Sequence, residues 1–225
     1  MIDKAILAYI TEAYWAMEPR TLDRMLGIIT RHAEGIRLAE EELVAALDGK
    51  RQAKNTTYQV VSGNAIIPIN GVIAKHASQV GGVSQPRGTS VEAIRKDLRA
   101  ALEDPTVERI VLSIDSPGGS VSGIAEMADE IFLARQQKPI IAHTEGLMAS
   151  AAYWLGSQAN EVYATKSASV GSIGVYATIA DDSRRMKNEG FDLAVLKSGS
   201  FKGPDKITGG FGEKQAEKLQ EEIDL

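Results

Sequence analysis

Apolar residues recur near the start of the chain at intervals of three and four: Ile6, Leu7, Ile10 and Tyr14, then Leu22, Met25, Leu26 and Ile29. That spacing predicts a helical extension over residues 3–48, broken near Glu18-Pro19, where proline's fixed φ favours a helix start. The stretch GKRQAKNTT (49–57) is polar and without period, and predicts a linker. Residues 1–57 are therefore expected to be an extension whose loss leaves intact a main domain at 58–225.

From Tyr58 the pattern changes to short β-branched runs, YQVV and AIIPI, then a turn signal at Asn70-Gly71 and the run VIA. Thr89-Ser90-Val91-Glu92 reads as a capping box, followed by Val91, Ile94, Leu98 and Leu102 on one helical face that ends before Pro105. RIVLSID (109–115) is nearly continuous in apolar residues and predicts a strand buried on both faces. A glycine loop and a helix through Ala134 follow. The alternation recurs as PIIAHT with a helix from about Ser150, and as FDLAVLK with a helix from about Gly212. Strand then helix, several times over, predicts an α/β core. The last helix is still in period (Ala216, Leu219, Ile223) when the sequence stops at Leu225, as expected of a truncated or processed form.

Composition narrows the chemistry. With 30 acidic against 25 basic residues the formal net charge is −5, so no cationic field gathers phosphates, and neither nucleic acid nor an anionic membrane is an expected partner. Zero cysteines exclude a disulfide framework, a thiolate metal site and a thiol nucleophile, and no metal or cofactor is expected. Asp3, Lys4, Thr11 and Glu12 interrupt the N-terminus, and no run is long enough to span a bilayer, so neither a secretory leader nor an anchor is expected.

One hydroxyl, Ser150, stands in EGLMASAAYWLGSQA (145–159) among small and apolar residues, where a strand is expected to hand over to a helix. Small neighbours such as Ala149, Ala151 and Ala152 let a peptide backbone approach, and the free N–H groups of a first helical turn favour a developing anion. Ser116-Pro117-Gly118-Gly119 is a second source of outward N–H groups. Alone, each pattern is more often plain architecture; together they end successive strand–helix units. A serine needs a base. His32 lies in the extension, His76 follows a strand, and His143 would have to leave its strand, with Asp115 to orient it, so it reads as a core or rim histidine. A lysine whose charge is suppressed by burial can substitute. The chain has no Ser-x-x-Lys, which leaves Lys197, Lys202 and Lys206 of the loop KSGSFKGPDK as candidates. Trp154 and Tyr153 are expected in the core, Asp181, Asp182, Arg184 and Arg185 at a solvated helix start, and residues 77–88 in a loop.

DSPGGSVSG (115–123), EGLMASAAYWLGSQA, SASVGSIGV (167–175) and LKSGSFKGP resemble, in that order, the signal peptide peptidase A family of serine proteases over roughly residues 60–225. YWAMEPRTLDRMLGI (14–28) resembles the extension of its tailed-phage branch, the head maturation proteases. The resemblance implies an α/β fold of the Clp protease/crotonase type, a spiral of strand–strand–helix units. It implies Ser150 as nucleophile, Lys202 as general base and Ser172 as the serine that hydrogen-bonds the lysine amine. Gly118 and Gly119, with Ala151 after the nucleophile, correspond to an oxyanion hole. Where many relatives have glycine after the nucleophile, this chain has Ala151-Ala152.

The activity so implied is that of a serine endopeptidase with a Ser–Lys dyad, taking an extended polypeptide and cleaving scaffold or head proteins during phage capsid maturation. A homo-oligomer with active sites shared between subunits is implied, in the cytoplasm of a bacterial host or inside an assembling prohead. Three alternatives remain: a signal-peptide-degrading peptidase without an anchor, a crotonase-like acyl-CoA enzyme, and an inactive capsid assembly protein.

Overall fold

The computed structural model describes residues 14–33, 58–76, 88–177, 183–190 and 213–224. The chain forms two compact units, Met1–Tyr176 and Ala177–Leu225. The boundary expected at 57/58, the linker 49–57 and the loop 77–87 lie outside the described residues, as does the strand expected at FDLAVLK.

In the first unit each turn of the chain makes a strand in a main sheet, a short strand in a second layer and then a helix. The main sheet has the order β10-β8-β6-β3-β2, from β10 (Glu161–Ala164), β8 (Ile140–Thr144), β6 (Arg109–Asp115), β3 (Asn64–Asn70) and β2 (Gln59–Val61). All its pairings are parallel except β2–β3. The second layer holds β4 (Val72–Ala74), β5 (Gly88–Ser90) and β7 (Gly118–Ser120), then β9 (Leu147–Ala149) paired with β11 (Ser169–Gly171). A parallel bridge from Ser116 to Met148 links one turn to the next. Helices α2 (Val91–Glu103), α3 (Ile124–Ala134) and α4 (Ala151–Gly156) close successive turns.

Alternation in β6 puts Ile110, Leu112 and Ile114 in the core, each side chain worth about 1.5–3 kcal/mol of burial. Val111 and Ser113 on the other face are only half-buried, so the strand is not buried on both faces as its apolar run predicted. Asn70-Gly71 is a step between layers, where Gly71 donates to the Asp115 carbonyl at 2.9 Å. The tight hairpin is instead at Ser62-Gly63 between β2 and β3, both residues at positive φ (49° and 76°), as a type I′ turn requires. Helix α2 is capped by Ser90, whose Oγ accepts the Ala93 N–H at 3.1 Å. Thr89 Oγ1 is spent on the Asn70 backbone, to N and O at 2.9 Å each.

The N-terminal region differs most from expectation. Tyr14–Met17 form a strand, β1, where Tyr14 was expected on a helical face; helix α1 begins at Pro19 and runs to Ala33. Antiparallel pairing on β7 takes over, because Trp15 and Met17 bury fully in a small second cluster with Leu22. Met25, Leu26, Val72 and Tyr176 pack around it. In the second unit the described helices are α5 (Ser183–Asn188) and α6 (Glu213–Asp224), the latter close to its expected start; Arg184 and Ala216 are exposed. No helix among the described residues is long and apolar enough to cross a membrane.

Candidate active site

Ser150 sits where β9 turns into α4. Its backbone holds φ 54° and ψ −119°, a region side-chain-bearing residues rarely enter. The turn is imposed from both sides. Ser150 N–H donates to the Gly171 carbonyl at 2.7 Å at the end of the β9–β11 pairing, and Ser150 C=O accepts the Trp154 N–H at 2.8 Å to start the helix. The hydroxyl caps nothing: Ser150 stands at the N-cap position without a side-chain cap bond. Its Oγ contact, to the Gly174 carbonyl, is at the 3.5 Å limit of a hydrogen bond. Although the residue is only 7% exposed, the oxygen is therefore left nearly unengaged at the head of a helix. A sharp strand-to-helix turn that holds a serine in strained backbone with its hydroxyl uncapped marks Ser150 as a candidate functional residue.

Gly171-Ser172-Ile173-Gly174 wraps the same turn. Gly171 is in register with Ala149, so Ser172 leaves β11 where Ser150 leaves β9, and Ser172 also has positive φ, 53°. Ser172 is exposed, and Ile173 beside it is 81% exposed, a large apolar side chain in the open next to Ser150.

The glycine loop reaches the same place from β6. Ser116 is fully buried and locks the loop: its Oγ donates to the Gly71 carbonyl at 2.7 Å and accepts the Gly118 N–H at 3.2 Å. Its backbone joins β9 through Ser116 N–H to the Leu147 carbonyl (2.7 Å) and Ala149 N–H to the Ser116 carbonyl (3.1 Å). A Cβ on Gly118 would come 3.0 Å from both the Ala149 carbonyl and the Ala151 nitrogen, so only glycine lets the loop press against the start of α4. On Gly119 it would strike the Ile73 carbonyl. Gly118, Gly119, Ser150, Ala151 and the Ser172 segment are thus brought together. Lys202, like Lys197 and Lys206, lies outside the described residues.

The histidines stand apart. His143 is half-buried in β8 opposite Ser113 and Tyr163, and among the described residues no hydrogen bond joins it to Ser150 or Asp115. His76 Nδ1 lies 2.8 Å from Glu92. Tyr153 packs on the core as expected, but Trp154, one position on, is 38% exposed, because six residues of helix turn only one face to the sheet. Sequence reasoning missed the Ser116 tie, the β9–β11 pairing and β1.

The turns of paired strands and helix define an α/β spiral of the Clp protease/crotonase type. Residues 133–225, which include Ser150, match the model of peptidase family S49. The chain carries a peptidase family S49 domain. It is 33% identical over 187 residues to "Capsid assembly protease C" of Escherichia phage lambda, covering 79% of this chain and 41% of that protein. It is 33% identical over 171 residues to "Head-tail preconnector protein GP5" of Enterobacteria phage P21, covering 76% and 33%. Protease 4 of Salmonella typhi is 34% identical over 116 residues, 51% of this chain and 18% of that one. The chain thus spans about two fifths and one third of the length of the two phage proteins. Among solved structures it is similar to an enoyl-CoA hydratase/isomerase family protein from Silicibacter pomeroyi, with TM-score 0.38 and 18% identity over 49% of this chain and 50% of that one.

Proposed function

We propose that this chain is a serine endopeptidase in which Ser150 is the nucleophile and Lys202 the general base. The observation that carries the proposal is the Ser150 turn: a hydroxyl held at φ 54°, spent on no cap, beside the first amides of α4. Uncharged Lys202 takes the hydroxyl proton as Oγ attacks the carbonyl carbon of an extended peptide. The tetrahedral oxyanion is held by the N–H groups of Gly119 and Ala151, with Gly118 giving the close approach, since the Gly118 N–H is itself donated to Ser116. Collapse expels the amine, which receives the proton back from Lys202; water then cleaves the ester with Lys202 again as base. Ser172, beside Ser150 on the neighbouring strand end, orients the lysine amine.

The phage relatives' names favour head or scaffold proteins as substrates, in a bacterial cytoplasm or an assembling head, and a homo-oligomer whose neighbouring copies complete each site. The test is mass spectrometry of fragments from co-expressed candidate head proteins. Wild type is expected to give defined cuts that Ser150→Ala, with turnover down by at least about a thousandfold, does not. The same cuts from Ser150→Ala would overturn the mechanism. A fluorophosphonate that labels Ser150 separates this reading from an acyl-CoA enzyme and from an inactive assembly protein.

A further inference from the structure

Strand β1 lies antiparallel on β7, with Trp15 opposite Ser120, Ala16 opposite Gly119 and Met17 opposite Gly118. The ladder is flanked by two hydrogen bonds, Val121 N–H to the Tyr14 carbonyl at 3.0 Å and Glu18 N–H to the Pro117 carbonyl at 2.7 Å. Antiparallel rungs alternate between bonded and unbonded pairs, and these two bonds put Ala16 and Gly119 on a bonded rung. The Gly119 N–H therefore points at the Ala16 carbonyl. The same carbonyl lies against Gly118, on the side where a Cβ would come 3.0 Å from the Ala151 nitrogen. A carbonyl of the chain itself thus faces the Gly119 amide, one of the two assigned above to the oxyanion.

An extended peptide at this site would present the same features: a backbone antiparallel to β7, a carbonyl at the Gly119 N–H, and a side chain small enough for a floor of Ala149, Ala151 and Ala152. We propose that β1 is a built-in competitor, occupying the strand position that a peptide substrate must take beside Ser150, so that substrate binds only when β1 lifts away. This rests on the function proposed above. One observation fits a strand made to lift. Ala16 packs in the main core and the short strand at Tyr176 lies along the other edge of β1, but the separate small cluster that holds Trp15 and Met17 traps the Tyr176 hydroxyl without a hydrogen-bond partner among the described residues, a cost that opening relieves.

The experiment uses the whole chain with Trp154→Phe, which leaves Trp15 as its one tryptophan. A tetrapeptide aldehyde ending in alanine is titrated in; occupancy is read as protection of Ser150 from a fluorophosphonate, and β1 is read by Trp15 emission. Emission is expected to move to solvent-exposed wavelengths in step with protection. Ala16→Pro, which removes the amide donated to Gly119, is expected to raise the labelling rate about tenfold, the factor by which a closed state holding about nine tenths of the molecules suppresses reaction. Full protection with Trp15 emission unmoved overturns the proposal, as does an aldehyde that fails to protect a Ser150 that does label. Equal labelling rates in a variant whose Trp15 is exposed overturn it too. The aldehyde arm decides the matter if Ala16→Pro does not fold. If Ser150 labels in neither protein, the nucleophile reading fails, and this inference with it.

Discussion

Ser90 and Ser150 both stand at the head of a helix, and they are held in opposite ways. Ser90 has φ −90° and ψ 145° and turns its hydroxyl back to accept the Ala93 N–H. Ser150 has φ 54° and ψ −119° and turns its hydroxyl away from the helix it begins. The first is what a serine does when local preference decides. The second persists only because tertiary bonds at Gly171 and the packing of β9 over-determine it, and backbone strain of that kind collects at functional sites.

The sharpest way to break the comparison is Ser150→Gly. Glycine accepts this φ without strain, so releasing roughly 1–3 kcal/mol against a glycine entropy cost of about 0.5–1 kcal/mol should leave the variant about 1 kcal/mol more stable by urea unfolding. On the function proposed above, activity should fall by at least about a thousandfold, since every other group in that scheme acts through the hydroxyl. A less stable Ser150→Gly would mean that the turn stores no strain. Ser90→Ala should do the reverse, losing about 1 kcal/mol of stability with fluorophosphonate labelling of Ser150 unchanged.

The smallest effect lies within the Ser90 helix. Asp97 is buried in α2, and burial raises its carboxyl above the ordinary value, offset in part by Lys96. A carboxyl whose folded pKa is raised binds its proton more tightly in the native state. Stability should therefore fall as pH climbs from the usual carboxylate range through the raised value, and level off above it. Asp97→Asn should flatten that slope and leave stability at neutral pH unchanged or slightly higher, as acid-to-neutral melting curves would register.

Much of this was legible in the sequence where one local rule sufficed. Val91, Ile94 and Leu98 announced α2 by spacing, RIVLSID announced β6, and the alanines around Ser150 marked the helix start. The rest depended on partners distant along the chain. YWAM contains nothing that locally forbids a helix; strands far along the chain, β7 on one side and the short strand at Tyr176 on the other, make it a strand. Ser116 looked like turn punctuation until Gly71 and Gly118 came within reach of its hydroxyl. The positive φ of Ser150 could not be read from a run of helix-favouring neighbours, because the Gly171 carbonyl that fixes it arrives a whole strand–helix unit later.

The pairing of Ala16 with Gly119 joins residues about a hundred positions apart, and closing so long a loop carries an entropic penalty that the rung must overcome. On a ribosome, β1 emerges early and waits while the strands that will frame its seat are still being made. The N-terminal strand should therefore dock after the spiral behind it has assembled, and in the finished protein the Ala16 and Gly119 amides should exchange with deuterium well before those of β6.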